Sequence, residues 1–154
     1  MSNKKTVVIP LDTKSREFTG KVWLAGNLLS EEINVILVDR RISEKTILDI
    51  DPDFYLEGGT ASQRRDLIKR LSSNTIIGVL DTEGAPTQTD IVNMHDPESM
   101  KYADIYFSWG EEQAEKIESK FGRDDLDIVV TGTPEFDLLH DELKHIYSSS
   151  KHTE

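Results

Sequence analysis

Apolar, β-branched runs alternate along this chain with stretches in which apolar residues recur every three or four positions. Residues 6–11, TVVIPL, read as a first strand. Asp12 and Thr13 follow and can cap a helix. Phe18, Val22, Ala25, Leu28 and Leu29 then predict a helix over 14–31 with one apolar stripe. A second strand is expected over 34–38, NVILV. Both strands are continuous rather than alternating, as strands covered on both faces are. A weaker helix follows over 43–50, then a short third strand in DFYLE near residue 54. The 62–71 segment is helical, with Leu67, Ile68 and Leu71 inward, and 75–80 is a fourth strand. Residues 81–96 form a long polar segment, and long loops in small domains are often functional. A short helical turn over 97–101 leads to a strand over 103–108 and a helix over 110–121, with Glu111 and Glu112 in its first turn. A last strand covers 127–131. Pro134 then stands at a favoured first helical position, opening a helix to about 147.

Six such alternations predict an α/β fold: a three-layer Rossmann-like domain with a mostly parallel sheet of about six strands and right-handed crossovers. The 154 residues suit one core, which buries roughly two thirds of the unfolded surface. The domain is expected to span 1–147, with 148–154 a flexible tail or the start of a linker. Under the common strand order 3-2-1-4-5-6, the switch point lies between strands one and four.

Charge and composition narrow the function classes. The net charge is −11, from 29 acidic and 18 basic residues, which repels phosphate backbones and argues against nucleic acid as a partner. There is no cysteine, so disulfides, thiolate catalysis and thiolate-held zinc are excluded. MSNKKTVVIP has a basic start but no apolar signal region after it, and no apolar run reaches membrane-spanning length. The expected location is cytoplasmic.

Ligands of open parallel sheets bind beyond the carboxyl ends of the strands. Strand one delivers Asp12 and Thr13 there, and strand four delivers Asp81, Thr82, Glu83 and Gly84. Strand five delivers Trp109 and Gly110, and the last strand delivers Gly132 and Thr133. Asp81 and Glu83, two apart, share a side in extended backbone. Their proximity can raise one pKa and suit it to acid–base work, or the pair can be a solvated acidic loop. Arg16 and Lys21, with the free amides of the first helix, can hold an anion such as phosphate. Glu17 stands four residues before Lys21, so an ordinary helix pair is the other reading. Trp109 can stack on a sugar or base, or bury its ring. His95 and His140 are far apart and are read as having no partner at a metal-ligand spacing, and His145 and His152 lie in or after the final helix, so a histidine zinc site is not expected. No GxGxxG or GxxxxGK[ST] pattern is present, and Gly58-Gly59-Thr60 reads as a turn. No metal and no cofactor is expected. A phosphoacceptor receiver domain is disfavoured: Asp12 stands alone after strand one, and no lysine follows strand five.

Four strings carry a more specific likeness: VVIPLDTKSREFTGKVWLA (7–25), GVLDTEGA (78–85), YFSWGEEQAEKI (106–117) and VTGTPEFDLLHDEL (130–143). With them the chain resembles the N-terminal half of the surface carbohydrate biosynthesis family, which is similar to CDP-glycerol glycerophosphotransferase-like and GT-B glycosyltransferase-like proteins. Arg16, Glu17, Phe18, Gly20 and Lys21 match its R-E-F and G-K signature. Asp81, Glu83 and Gly84 match a D-E-E-G loop, with Thr82 in place of the middle acid. Trp109 and Gly110 match its W-G. Thr131, Gly132, Pro134, Phe136, Asp137 and Leu138 match T-G-N-P-R-F-D-L. There Thr133 replaces the asparagine, and Glu135 replaces the arginine, which reverses the local sign.

The resemblance implies one half of a GT-B-like architecture, the acceptor side, inactive alone. Its partner would be a C-terminal donor-binding domain, in cis or in trans. The complete enzyme would move a glycosyl or glycerophosphoryl unit from a nucleotide-activated donor to a surface-glycan acceptor, with possible peripheral membrane association. Asp12, Asp81 or Glu83 would orient or deprotonate the acceptor hydroxyl, and Arg16 and Lys21 would steady phosphate. Two other classes are a noncatalytic binding or assembly module on the same fold, and a small flavodoxin-like nucleotide-binding protein.

Overall fold

The computed structural model describes residues 4–30, 32–42, 44–82 and 94–143. The apolar runs form strands β1 (Lys5–Leu11), β2 (Ile33–Asp39), β3 (Phe54–Glu57), β4 (Ile76–Leu80), β5 (Ile105–Ser108) and β6 (Asp127–Val130). Between them lie helices α1 (Lys14–Leu28), α2 (Glu44–Ile50), α3 (Arg65–Leu71, entered through a 3-10 turn at Ser62–Arg64), α4 (Pro97–Met100) and α5 (Glu111–Phe121). A short α6 (Pro134–Asp137) and a 3-10 turn at Asp141–Leu143 follow β6. The three-layer, Rossmann-like α/β architecture expected from the pattern is the one found.

The sheet has six strands in the order β2-β1-β3-β4-β5-β6, and every pairing is parallel. The assumed order 3-2-1-4-5-6 is therefore corrected. The chain reverses direction across the sheet once, after β2, so the switch point lies between β1 and β3 rather than β1 and β4.

Alternation along the strands divides the core. Val8, Tyr55 and Ile77 face one side and pack with Ile47 of α2 and Leu67, Ile68 and Leu71 of α3. Val79 and Tyr106 continue that face under α4 and α5, against Met100 and Ile117. Val7, Ile9, Leu56 and Leu80 face the other side, where Ala25, Leu24 and Leu28 of α1 meet them. On that second face Phe54 and Phe107 close over Gly78 from the strands on either side, where a Cβ would overlap the Phe54 ring. Gly78→Ala should therefore cost about 1–3 kcal/mol by overpacking, read from urea denaturation, although alanine suits a strand backbone better than glycine does. A cost below about 0.5 kcal/mol would show that the two rings part freely.

Helix α1 is turned differently from its apolar pattern. Phe18 and Val22 are 40% and 41% exposed, and Leu29 lies past the helix end at 59%. The inward residues are Glu17, Gly20, Lys21 and Ala25. Glu17 and Lys21 neutralise one another at 2.7 Å, so a charged pair enters the core while apolar residues stay outside. Thr13 takes the expected N-cap position but makes no side-chain capping bond, and Glu17 accepts from the Asp12 amide at 3.1 Å instead.

The final helix is also shorter than expected. After Asp137 the bonds run to the third residue back, from Leu139 to Phe136 and from His140 to Asp137. A continuous α-helix would stack Asp137 beside Asp141, a repulsive spacing. The rest of the expected helix, 144–147, lies outside the described residues.

Candidate functional site

Parallel pairing sets all the strand ends with predicted site residues on one edge. Asp12 and Thr13 leave β1, Asp81 leaves β4, Trp109 and Gly110 leave β5, and Gly132 and Thr133 follow β6. Glu83 and Gly84 fall outside the described residues. The corrected strand order adds β3 to the centre of this edge, with Glu57, Gly58 and Gly59.

The switch point is built from charge. Lys21 donates to Glu17 at 2.7 Å and to the Pro10 carbonyl at 2.6 Å, which holds its ammonium beneath the end of β1. Arg16 lies 3.6 Å from the other Glu17 oxygen, with its side chain 46% exposed. Glu57, fully buried, takes Arg40 Nη2 and Arg64 Nε at 3.2 Å each. Arg40 also reaches Asp12, at 3.2 Å, and Arg64 donates to the Tyr55 hydroxyl at 2.5 Å. Burial first, then the Glu57 charge, pushes the Tyr55 phenol upward, so it stays protonated. Four cations thus meet the three carboxylates Asp12, Glu17 and Glu57 around β1 and β3. A chain of net charge −11 here carries a locally positive end, with the positive pole of α1 beside it.

Asp12 and Asp81 play different parts. The Asp12 side chain is 45% exposed and can meet a ligand, whereas Asp81 is buried. Asp81 belongs to a cluster with Thr60, His95 and Tyr106, all buried. His95 Nδ1 faces the hydroxyl of Thr60 at 3.0 Å and its amide at 3.5 Å, so it accepts. The ring proton then sits on Nε2, 3.2 Å from the Tyr106 hydroxyl and 3.7 Å from Asp81 Oδ2. A hydroxyl, an imidazole and a carboxylate in a row are also the parts of a nucleophilic triad. Here the hydroxyl is sealed from substrate, and the row ties the ends of β3 and β4 to β5 and to the segment entering α4.

Burial, with Lys120 adding to it, pushes the His95 imidazole down to about 4 from 6.5. Between those values the unfolded chain binds the proton and the folded chain does not, so stability falls as pH drops from 6.5 toward 4. The loss should reach about 3 kcal/mol, and His95→Gln should flatten this part of the profile. Unfolding free energies measured in urea from pH 7 to pH 4 test this; equal slopes for the two proteins would reject it.

Trp109 joins the motifs. Its indole N–H donates to the Asp81 carbonyl at 2.8 Å, and its ring meets Phe136 edge-on at 5.3 Å. Gln113 in the first turn of α5 accepts the Trp109 amide at 2.7 Å and fixes the corner before Gly110. Glu135 accepts from the Thr133 hydroxyl, and its carboxylate lies over α1 where Gly20 leaves room. A Cβ on Gly20 would stand 2.6 Å from Glu135 Oε1. Gly132 has φ +78, which only glycine adopts readily, and a side chain there would meet open space.

Sequence reasoning missed Arg40, Glu57, Arg64 and the polar role of His95. The available signal was a glutamate closing the apolar run FYLE just before two glycines. Its weight depended on strand order, which put β3 beside β1. Among the described residues, no group of three or more histidine, aspartate or glutamate side chains is placed to hold a metal ion. No helix among them is long and apolar enough to cross a membrane. No protein-family model matches the chain, and a search of curated proteins finds no significant match.

Proposed function

We propose that this chain is the acceptor-side half of a GT-B-like transferase of surface polysaccharide biosynthesis, moving a glycosyl or glycerophosphoryl unit and inactive without a donor-binding domain. The observation that carries this reading is the contact between the four strings of the family resemblance. Trp109 of the third touches Asp81 of the second and Phe136 of the fourth, and Glu135 of the fourth covers Gly20 of the first. Separate stretches of sequence thus form one surface at the ligand-binding edge of the sheet. Asp12, the accessible carboxylate, orients or deprotonates the acceptor hydroxyl. Arg16 and Arg40 steady an anionic group, while Lys21 and Asp81 hold the frame around them. The protein works in the cytoplasm, with its donor domain in cis or in trans, and the complete enzyme associates peripherally with the membrane.

Calorimetric titration with CDP-glycerol, UDP-sugars and a surface-glycan acceptor fragment tests the reading, without and with a candidate donor domain. Acceptor should bind the chain alone, and donor only when the second domain is present. In the complete enzyme Asp12→Asn should lower kcat about 100-fold or more with acceptor binding retained. Absence of acceptor binding under both conditions would defeat the reading and leave the noncatalytic module.

A second reading has an observation of its own. The order β2-β1-β3 with its switch beside β1 is the layout of flavodoxin-like nucleotide-binding proteins. Tight binding of a nucleotide or flavin by the chain alone would favour it, read by adding a flavin nucleotide to the same titration.

A further inference from the structure

Among the described residues the two sheet faces are covered unequally: four helices lie over one face, whereas the other carries α1 and the four-residue α6. Three hollows of about 410, 420 and 400 Å3 surround α1 and α6 on this thinner side. They adjoin one another: the first shares Leu24, Pro134 and Asp137 with the second, and Trp23 and Asn27 with the third. Phe18 and Val22 of α1, with Phe136 and Leu139 at α6, stand at least 40% exposed on these same elements. Phe18 and Val22 of the α1 stripe that sequence periodicity assigns to the core are thus apolar surface on this side of the protein, while Ala25 and Leu28 of that stripe meet the sheet.

We propose that this surface is a docking groove for a basic amphipathic helix of a partner polypeptide. The continuity of the three hollows suits a helix rather than a small ligand, which would need only one of them. Charge selects the kind of helix. Asp137 and Glu142 line the groove, and no lysine or arginine lines any of the three hollows among the described residues. A second copy of this chain would bring another net charge of −11 to an acidic groove, whereas lysines or arginines flanking an apolar stripe complement it. The groove is separate from the charged switch point, and the inference does not depend on the transferase reading.

The test titrates the isotopically labelled full chain with a leucine–lysine model helix of about five turns, following amide chemical shifts. The expected result is saturable one-to-one binding, with shifts concentrated in α1 and in residues 134–143. A leucine–glutamate helix of equal length should not bind. The double variant Val22→Asp with Leu139→Glu should bind the basic helix at least about tenfold more weakly, with its thermal unfolding unchanged. Those added acids strengthen the general attraction for lysine, so the loss isolates the apolar contact. Equal binding of both peptides, shifts spread over the whole acidic surface, or unweakened binding to the variant would overturn the proposal. A chain that is dimeric alone and made monomeric by Val22→Asp would also overturn it, assigning the groove to a second copy.

Discussion

Lys21→Met should destabilise the fold by about 3–5 kcal/mol, far more than an ordinary i,i+4 helix pair, worth about 0.3–0.5 kcal/mol, would suggest. The difference is burial. Glu17 and Lys21 are 1% and 3% exposed, and the pair lies between α1 and the end of β1. Methionine fills similar space but leaves the Glu17 carboxylate inside without its ammonium, and strips a donor from the Pro10 carbonyl. The partial contact from Arg16 at 3.6 Å is too long and too exposed to replace it. Glu17→Gln combined with Lys21→Met removes both charges, and should recover more than half of the loss. Urea denaturation of the single and double variants gives the coupling directly. A single-variant loss below about 1 kcal/mol would place the pair in water rather than in the core.

Glu57→Leu is the second large effect, also about 3–5 kcal/mol. Glu57 ends β3 fully buried between Arg40 and Arg64. Leucine leaves two guanidiniums facing each other across an apolar side chain, with Asp12 still paired to Arg40. Their side chains are 22% and 12% exposed, so water relieves only part of the repulsion. The variant should therefore gain more stability from added sulfate than the parent does, because an anion can take the place of the lost carboxylate. Melting temperatures of both proteins across a sulfate series, with chloride at matched ionic strength, separate this effect from general screening. Equal gains would mean that the two arginines escape to solvent and do not form an anion-holding pair.

The fold class was legible because each strand is a local event. TVVIPL, NVILV and TIIGVL are short β-branched runs, and each strand forms where its run stands. The candidate edge was legible for the same reason, since in a parallel sheet every carboxyl end points one way. Helix α1 was only half legible. Its extent follows from composition, but which face turns inward depends on whether Glu17 and Lys21 meet, and hydropathy scores each of them alone as a surface residue.

What the sequence determined by itself is the succession of elements, their parallel sense and the residues that leave each strand. Tertiary structure alone decided which strands are neighbours. A right-handed crossover of similar length can carry the chain to either side of β1, so no local pattern encodes the order. From that choice follow the switch point at β1 and β3, the Arg40–Glu57–Arg64 cluster drawn from three separate segments, and the burial of His95 against Asp81. Most of these contacts join residues well separated in sequence, and their energy exists only once the sheet has brought the partners together.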